Sequence, residues 1–258
     1  MPRTQRIDDI EKYVFEHKRV ELDHLCEVFD VSKNTIRRDI DELCRRGNVK
    51  KVYGGICLVE KEDLLPFNER TIRAREAKKR IAAAAASLVE DGDIIFIDSG
   101  TTVRHMVEYV ADRSRLTILT SSIDVVASAL PHGNLNVICL SGALNRTTLS
   151  FVGTMAVKSL EQFNINKAFM ASTGITIEKG ATNFLAEEFE IKGAAMRQSQ
   201  KSYLLVDKMK LGVVSMRTYA ELKDFDAIVS DAPLPDEYGD YMARFGRSVI
   251  IAADNAAG

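Results

Sequence analysis

The sequence predicts two domains: a small helical one closed by a basic β-hairpin, and a larger α/β one on a largely parallel sheet. Three observations predict them. Apolar residues recur at helical spacing in three successive stretches before Arg45, and a short β-rich run ending in Gly54-Gly55 follows. From Asp93 on, seven short apolar runs alternate with helical patterns, and strands that are apolar throughout are those a parallel sheet buries on both faces. Charge is also uneven: residues 31–53 hold seven Lys/Arg against three Asp/Glu, whereas residues 1–30 hold five against eight. A chain of 258 residues accommodates a small plus a medium domain, and the boundaries expected are 1–57, a linker 58–68, and 69–258.

Ile7, Ile10, Val14 and Phe15 share one face of a first helix, and Leu22, Leu25, Cys26 and Phe29 one face of a second. Asp30-Val31-Ser32 then makes a turn in which Ser32 caps a third helix by accepting from the backbone of Asn34 or Thr35. Ile36, Ile40 and Leu43 line its inner face, which leaves Lys33, Asn34, Arg37 and Arg38 on outward faces. After Gly47, a helix stop, Val49-Lys50-Lys51-Val52-Tyr53 reads as a strand closed by Gly54-Gly55. Three helices and a basic hairpin form a winged helix-turn-helix, the expected reader of double-stranded DNA. An arginine at 37 or 38 can bond a guanine edge in two places, worth about 1–3 kcal/mol of discrimination, while Lys50 and Lys51 hold phosphates. The competing expectation is a solvated helix face in which Lys33, Arg37 and Arg38 pair with Asp39, Asp41 and Glu42.

The run Val31-Ser32-x-x-Thr35-Ile36-Arg37-Arg38-Asp39-Ile40-x-x-Leu43, with Gly47 and Gly54-Gly55 after it, resembles the N-terminal signature of DeoR-type bacterial regulators. Asp30 stands where that pattern usually has Gly. The resemblance implies DNA contacts from Ser32, Lys33, Asn34, Thr35, Arg37, Arg38, Lys50, Lys51 and Tyr53.

The larger domain opens with an expected helix from Glu69 to Val89, charged through Arg80 and alanine-rich after it, ending at Asp91-Gly92-Asp93. Strands are expected at 94–97, 116–119, 137–140, 168–170, 203–206, 227–229 and 249–251. Parallel sheets bind ligands at the carboxyl ends of their strands, and those ends are polar here. They read Asp98-Ser99-Gly100-Thr101-Thr102, Thr120-Ser121-Ser122, Ser141-Gly142, Ser172-Thr173-Gly174, and Asp207 with Lys210. Hydroxyls and glycines at strand-to-helix turns present backbone N–H groups that suit a phosphate; ordinary helix capping is the plainer alternative.

These segments also resemble the DeoR sensor domain, similar in fold to ribose-5-phosphate isomerase and the CoA-transferases. Ser141 stands for the first Gly of a usual Gly-Gly, Ser121 for Asn, and Ala171 for a common Gly. The resemblance implies a phosphorylated sugar or related metabolite as effector, held by Asp98, Gly100, Thr101, Thr102 and Thr120, with Lys210, Arg146 and Glu188 as further contacts. The turn residues Ser99, Ser121, Gly142, Thr173 and Gly174 complete the candidate set. It further implies a repressor of a carbohydrate operon acting as a dimer or tetramer, and no enzyme. The alternative is a sugar-phosphate isomerase with a DNA-binding appendage, using Asp98, Glu188 and Lys210 as acid–base groups.

Other chemistry is excluded by what the chain lacks. Cys26, Cys44, Cys57 and Cys139 are too dispersed for a zinc site or disulfide framework. Neither G-x-x-x-x-G-K-[ST] nor G-x-G-x-x-G occurs, so no nucleotide cofactor is expected. Apolar runs such as Ile81 to Leu88 fall far short of the roughly 20 residues of a membrane span, and the charged start lacks a signal core. A cytoplasmic location with no membrane contact is the expectation.

Overall fold

The computed structural model describes residues 3–17, 19–45, 49–52, 54–58 and 67–253, and the chain divides into two compact units, Met1–Leu65 and Pro66–Gly258. In the first, α1 (Arg3–His17), α2 (Leu22–Phe29) and α3 (Lys33–Arg45) bury Ile7, Ile10, Val14, Leu25, Ile36, Ile40 and Leu43 against one another. β2 (Val49–Val52) and β3 (Gly55–Leu58) form the hairpin. A third strand, β1 (Arg19–Glu21), pairs antiparallel with β3, so the sheet order is β1-β3-β2. The sequence pattern did not reveal β1, which is too short for a period of two to register. Its trace lies in Gly55, where a Cβ would come within 2.1 Å of the Val20 carbonyl. Asp30 ends α2 in the left-handed region at φ 49°, the conformation that makes Gly usual there and that Asp tolerates. Gly47 and Tyr53 lie outside the described residues.

The second unit is a three-layer α/β domain. Its seven predicted strands all form: β4 (Ile94–Ile97), β5 (Thr117–Thr120), β6 (Asn136–Cys139), β9 (Ile165–Ala171), β12 (Ser199–Val206), β14 (Ala227–Ser230) and β15 (Ser248–Ile251). They make one parallel sheet in the order β15-β14-β12-β9-β4-β5-β6. Ile95, Ile97, Ile118 and Phe169 face one helical layer, containing α5 (Arg75–Ala86), α6 (Met106–Val110) and α7 (Ile123–Ala129). Phe96, Ala168, Met170 and Leu204 face the other, with α8 (Thr154–Leu160), α9 (Ala186–Gln198) and α10 (Asp236–Arg244). Both faces being covered is why these strands carry no polar alternation.

Two expectations are corrected. The predicted helix 69–89 is two helices, α4 (Phe67–Ile72) and α5, because Ala74 adopts φ 50° and breaks the run. Not every polar turn leads to a helix, either. Ser141-Gly142 opens the antiparallel pair β7 (Ala143–Asn145) and β8 (Ser150–Val152), while Ser172-Thr173 opens β10 (Gly174–Thr176). β10 joins β11 (Gly180–Asn183) and β13 (Arg217–Ala220) in a small second sheet. These strands span only three or four residues and are polar or Gly-containing, so apolar runs did not mark them.

Candidate functional site

Helix α3 begins as expected: Ser32 Oγ accepts from the Thr35 amide at 3.3 Å and lies 3.0 Å from Thr35 Oγ1. Lys33, Asn34, Arg37 and Arg38 are exposed. Their charges are spent differently. Lys33 Nζ sits 2.6 Å from Asp23 Oδ1 on α2, and Lys51 on the wing is paired with Asp41, which raises its pKa through the hydrogen bond. Arg37 and Arg38 form no ion pair with any described residue, and Lys33 pairs with Asp23 rather than with the Asp39, Asp41 or Glu42 of the solvated-face alternative. Lys50 lies in β2, register-paired with Cys57. Asp39 faces inward, 1% exposed, and its Oδ2 accepts a hydrogen bond from Arg6 Nε at 2.8 Å, tying α3 to α1. Its position between Ile36 and Ile40 on the apolar face was the signal for that role.

In the second unit the strand order reverses beside β4: β5 and β6 extend the sheet one way, β9 and its successors the other. At such a switch point a crevice opens at the carboxyl ends. Asp98 ends β4 there, 2% exposed, with both oxygens committed: Oδ1 accepts from the Ser99 amide at 2.8 Å, and Oδ2 from the Ala171 amide at 2.9 Å and from the Lys192 ammonium. Lys192 Nζ also donates to the Ala171 carbonyl at 2.9 Å, and Tyr219 Oη donates to the same oxygen at 2.9 Å. Ser99 Oγ donates to Glu188 Oε1 at 3.1 Å, Asn183 donates to Oε2, and Thr173 Oγ1 reaches Asn183 Oδ1 at 3.2 Å. Gly100 carries no Cβ because the Ala171 methyl occupies that place: the two would meet at 2.2 Å.

The structure therefore gathers Asp98, Ser99, Thr173 and Glu188 into one network around the β4–β9 junction. Thr120 and Ser121 lie one strand over, where Thr120 Oγ1 donates to the Ile97 carbonyl at 2.7 Å and accepts from the Ser122 amide at 3.0 Å. Thr101 and Thr102 are buried on the turn after Ser99. Gly142 and Gly174 lie where β6 and β9 give way to short antiparallel strands, and Arg146 is exposed in the β7–β8 connection. Lys210 stands at the end of β12, its ammonium pushed down to about 8 by burial.

Sequence reasoning missed Lys192, Asn183 and Tyr219. Lys192 had a signal, four positions beyond Glu188 on one helix face. Asn183 and Tyr219 come from β11 and β13, which carry no apolar run. A second missed group surrounds Lys78, 1% exposed, whose ammonium is pushed down to about 8 by burial, opposed by Asp207 and reinforced by Arg70, Arg104 and Arg73. Asp207 is 2% exposed and its carboxyl is pushed up by burial, with Lys78 opposing. Among the described residues, no group of His, Cys, Asp and Glu side chains could hold a metal ion, and no helix is long and apolar enough to cross a membrane.

Both units match known domains over most of their length. Residues 6–62 match the DeoR-like helix-turn-helix domain, and residues 73–232 the DeoR C terminal sensor domain. The chain belongs to the DeoR family of transcriptional regulators. Among curated relatives, the HTH-type transcriptional regulator IolR of Bacillus subtilis is 42% identical over 250 residues, covering 97% of this chain and all of that protein. The lactose phosphotransferase system repressor of Staphylococcus epidermidis is 32% identical, covering 90% and 93%. The glycerol-3-phosphate regulon repressor of Escherichia coli is 28% identical, covering 91% and 93%. Among solved structures, ribose 5-phosphate isomerase A of Methanocaldococcus jannaschii is 18% identical with a TM-score of 0.37, covering 53% of this chain and 54% of that one.

Proposed function

We propose that this DeoR-family protein represses a carbohydrate-metabolism operon, and that a phosphorylated sugar or related metabolite sets its affinity for DNA. The observation that carries the DNA half is the exposed, ion-pair-free couple Arg37 and Arg38 on a capped, buried-backed helix. The names of the lactose and glycerol-3-phosphate repressors support the carbohydrate half. A dimer or tetramer would set two α3 helices on successive half-sites, because one small module gives too little interface for tight specific binding.

The sensor reads better as a receptor than as an isomerase. A general base must reach the substrate proton, and Asp98 is 2% exposed and accepts from two backbone amides and Lys192, while Glu188 holds Ser99 and Asn183. These groups preorganise a polar floor. The effector then rests on the Thr101-Thr102 turn, the β5 end at Thr120 and Ser121, and the Lys210 ammonium.

Fluorescence anisotropy on the DNA upstream of its own gene tests this reading. Tight binding that weakens steeply with salt and is altered by one member of a sugar-phosphate panel is the expected result. Binding indifferent to every member would remove the effector assignment.

A further inference from the structure

Lys33, Arg37 and Asp41 stand four residues apart and share one stripe of α3. All three side chains are exposed, unlike Ile36, Ile40 and Leu43. The two ends of the stripe are engaged and the middle is not. At the first residue of α3, Lys33 Nζ lies 2.6 Å from Asp23 Oδ1, in the first turn of α2. At the other end Asp41 pairs with Lys51 of β2, so the pair runs from the helix to the wing. Arg37 stands between these pairs with no ion pair among the described residues, near enough for its charge to bear on the Lys51 ammonium.

Each of the four paired side chains is at least 51% exposed. Pairs so open to solvent contribute little to folding, and their consequence falls on whatever this surface binds. A lysine strengthens DNA binding by neutralising a phosphate and releasing the counterions condensed there. One already held by a carboxylate must first give up that partner, and the carboxylate is then left in the field of the phosphates. Arg37 and Arg38 have no such partner to give up among the described residues.

We infer that Asp23 and Asp41 attenuate DNA binding: each carboxylate holds a flanking lysine back from the phosphates, which lowers the sequence-independent part of the affinity and leaves Arg37 and Arg38 at full strength. Residues 31–53 carry seven Lys/Arg against three Asp/Glu, so two masked lysines are a sizeable share of the charge that any duplex can use. A bracing role for the same pairs predicts the opposite sign. If they served to hold α3 against α2 and the wing, breaking one would loosen the helix and weaken binding.

Fluorescence anisotropy of the full chain over a range of salt, on a duplex of scrambled sequence and on the DNA upstream of its own gene, separates the two. Asp23→Asn and Asp41→Asn should each tighten binding to both duplexes by the same factor, roughly 1.4- to 5-fold at low salt, the reach of one exposed ion pair. Each should also steepen the dependence of log affinity on log salt by up to about 0.9. The gain should largely vanish once the lysine is gone, so Asp23→Asn should add little to Lys33→Ala, and Asp41→Asn little to Lys51→Ala. An equal gain with and without the lysine marks simple repulsion between carboxylate and phosphate, and overturns the mask. Weaker binding in either single variant marks a brace and overturns it as well. Tightening confined to the upstream DNA would place the carboxylates in sequence reading, against an effect on the phosphate contacts alone.

Discussion

The two units handle charge in opposite ways. On α3 and the wing, Lys33, Arg37, Arg38 and Lys51 stand in solvent: Arg37 and Arg38 form no ion pair among the described residues, and Lys33 and Lys51 are held in exposed pairs. At the carboxyl end of the sensor sheet, Asp98, Lys192, Lys78 and Asp207 are each at most 3% exposed. Exposed charge contributes little to folding and is available for a polyanion. Buried charge that loses its partner is expensive, so it fixes one arrangement until a ligand offers another.

The comparison breaks most sharply at Asp98. Asp98→Ala strands the Lys192 ammonium and two backbone donors, and should lower sensor stability by about 3–5 kcal/mol in urea unfolding. Adding Lys192→Met should recover part of that loss, since the stranded charge is gone. An additive double-mutant cycle would mean that the pair does not hold the junction.

His105 comes next. It is 2% exposed with Nε2 unpartnered among the described residues, and burial pushes its pKa down to about 4, with Arg104, Lys79 and Arg75 adding and Glu108 opposing. The folded value lies below the unfolded one of about 6.5. The contribution to stability is therefore complete above pH 6.5 and is lost as pH falls toward 4, by roughly 2–3 kcal/mol. Thermal melts of His105→Met between pH 7 and 4 should show a shallower acid slope than the wild type.

On the DNA side, Arg38→Ala should weaken operator binding by about 1–3 kcal/mol if it reads a guanine, while unfolding shifts by under about 0.5 kcal/mol. Binding to a guanine-substituted operator tells reading from phosphate contact: a reader loses discrimination at one position. Lys51→Ala should weaken all sequences alike and reduce the salt slope by about 0.9. Smallest of all, Asp41→Asn frees Lys51 and should tighten binding at low salt by about 0.2–1 kcal/mol, an effect that vanishes at high salt.

Legibility in the sequence divides along the same line. Apolar periodicity located α1, α2 and α3, each of which buries one face, and continuous apolar runs located all seven parallel strands, which are covered on both faces. Asp30, Ser32 and the exposed side of α3 followed from local rules. What stayed hidden depends on distant partners: β1 exists because β3 is there to receive it, β11 and β13 because they pair with each other, and the break at Ala74 falls in a stretch whose composition favours one continuous helix. The network around Asp98 was half visible. Its turn residues stood at strand ends, whereas Lys192, Asn183 and Tyr219 arrive from later elements that only the fold brings back.

The order β15-β14-β12-β9-β4-β5-β6 also bears on how the chain is made. β4 lies at the middle of the sheet, yet its neighbour β9 begins only at Ile165, after β5 and β6 have left the ribosome. Domains fold as units from the N-terminus during synthesis, and pairing between distant strands is slow. The first unit, complete by Leu58, is thus synthesised before the strand that covers the far side of β4, so its folding does not wait for the larger sheet to close.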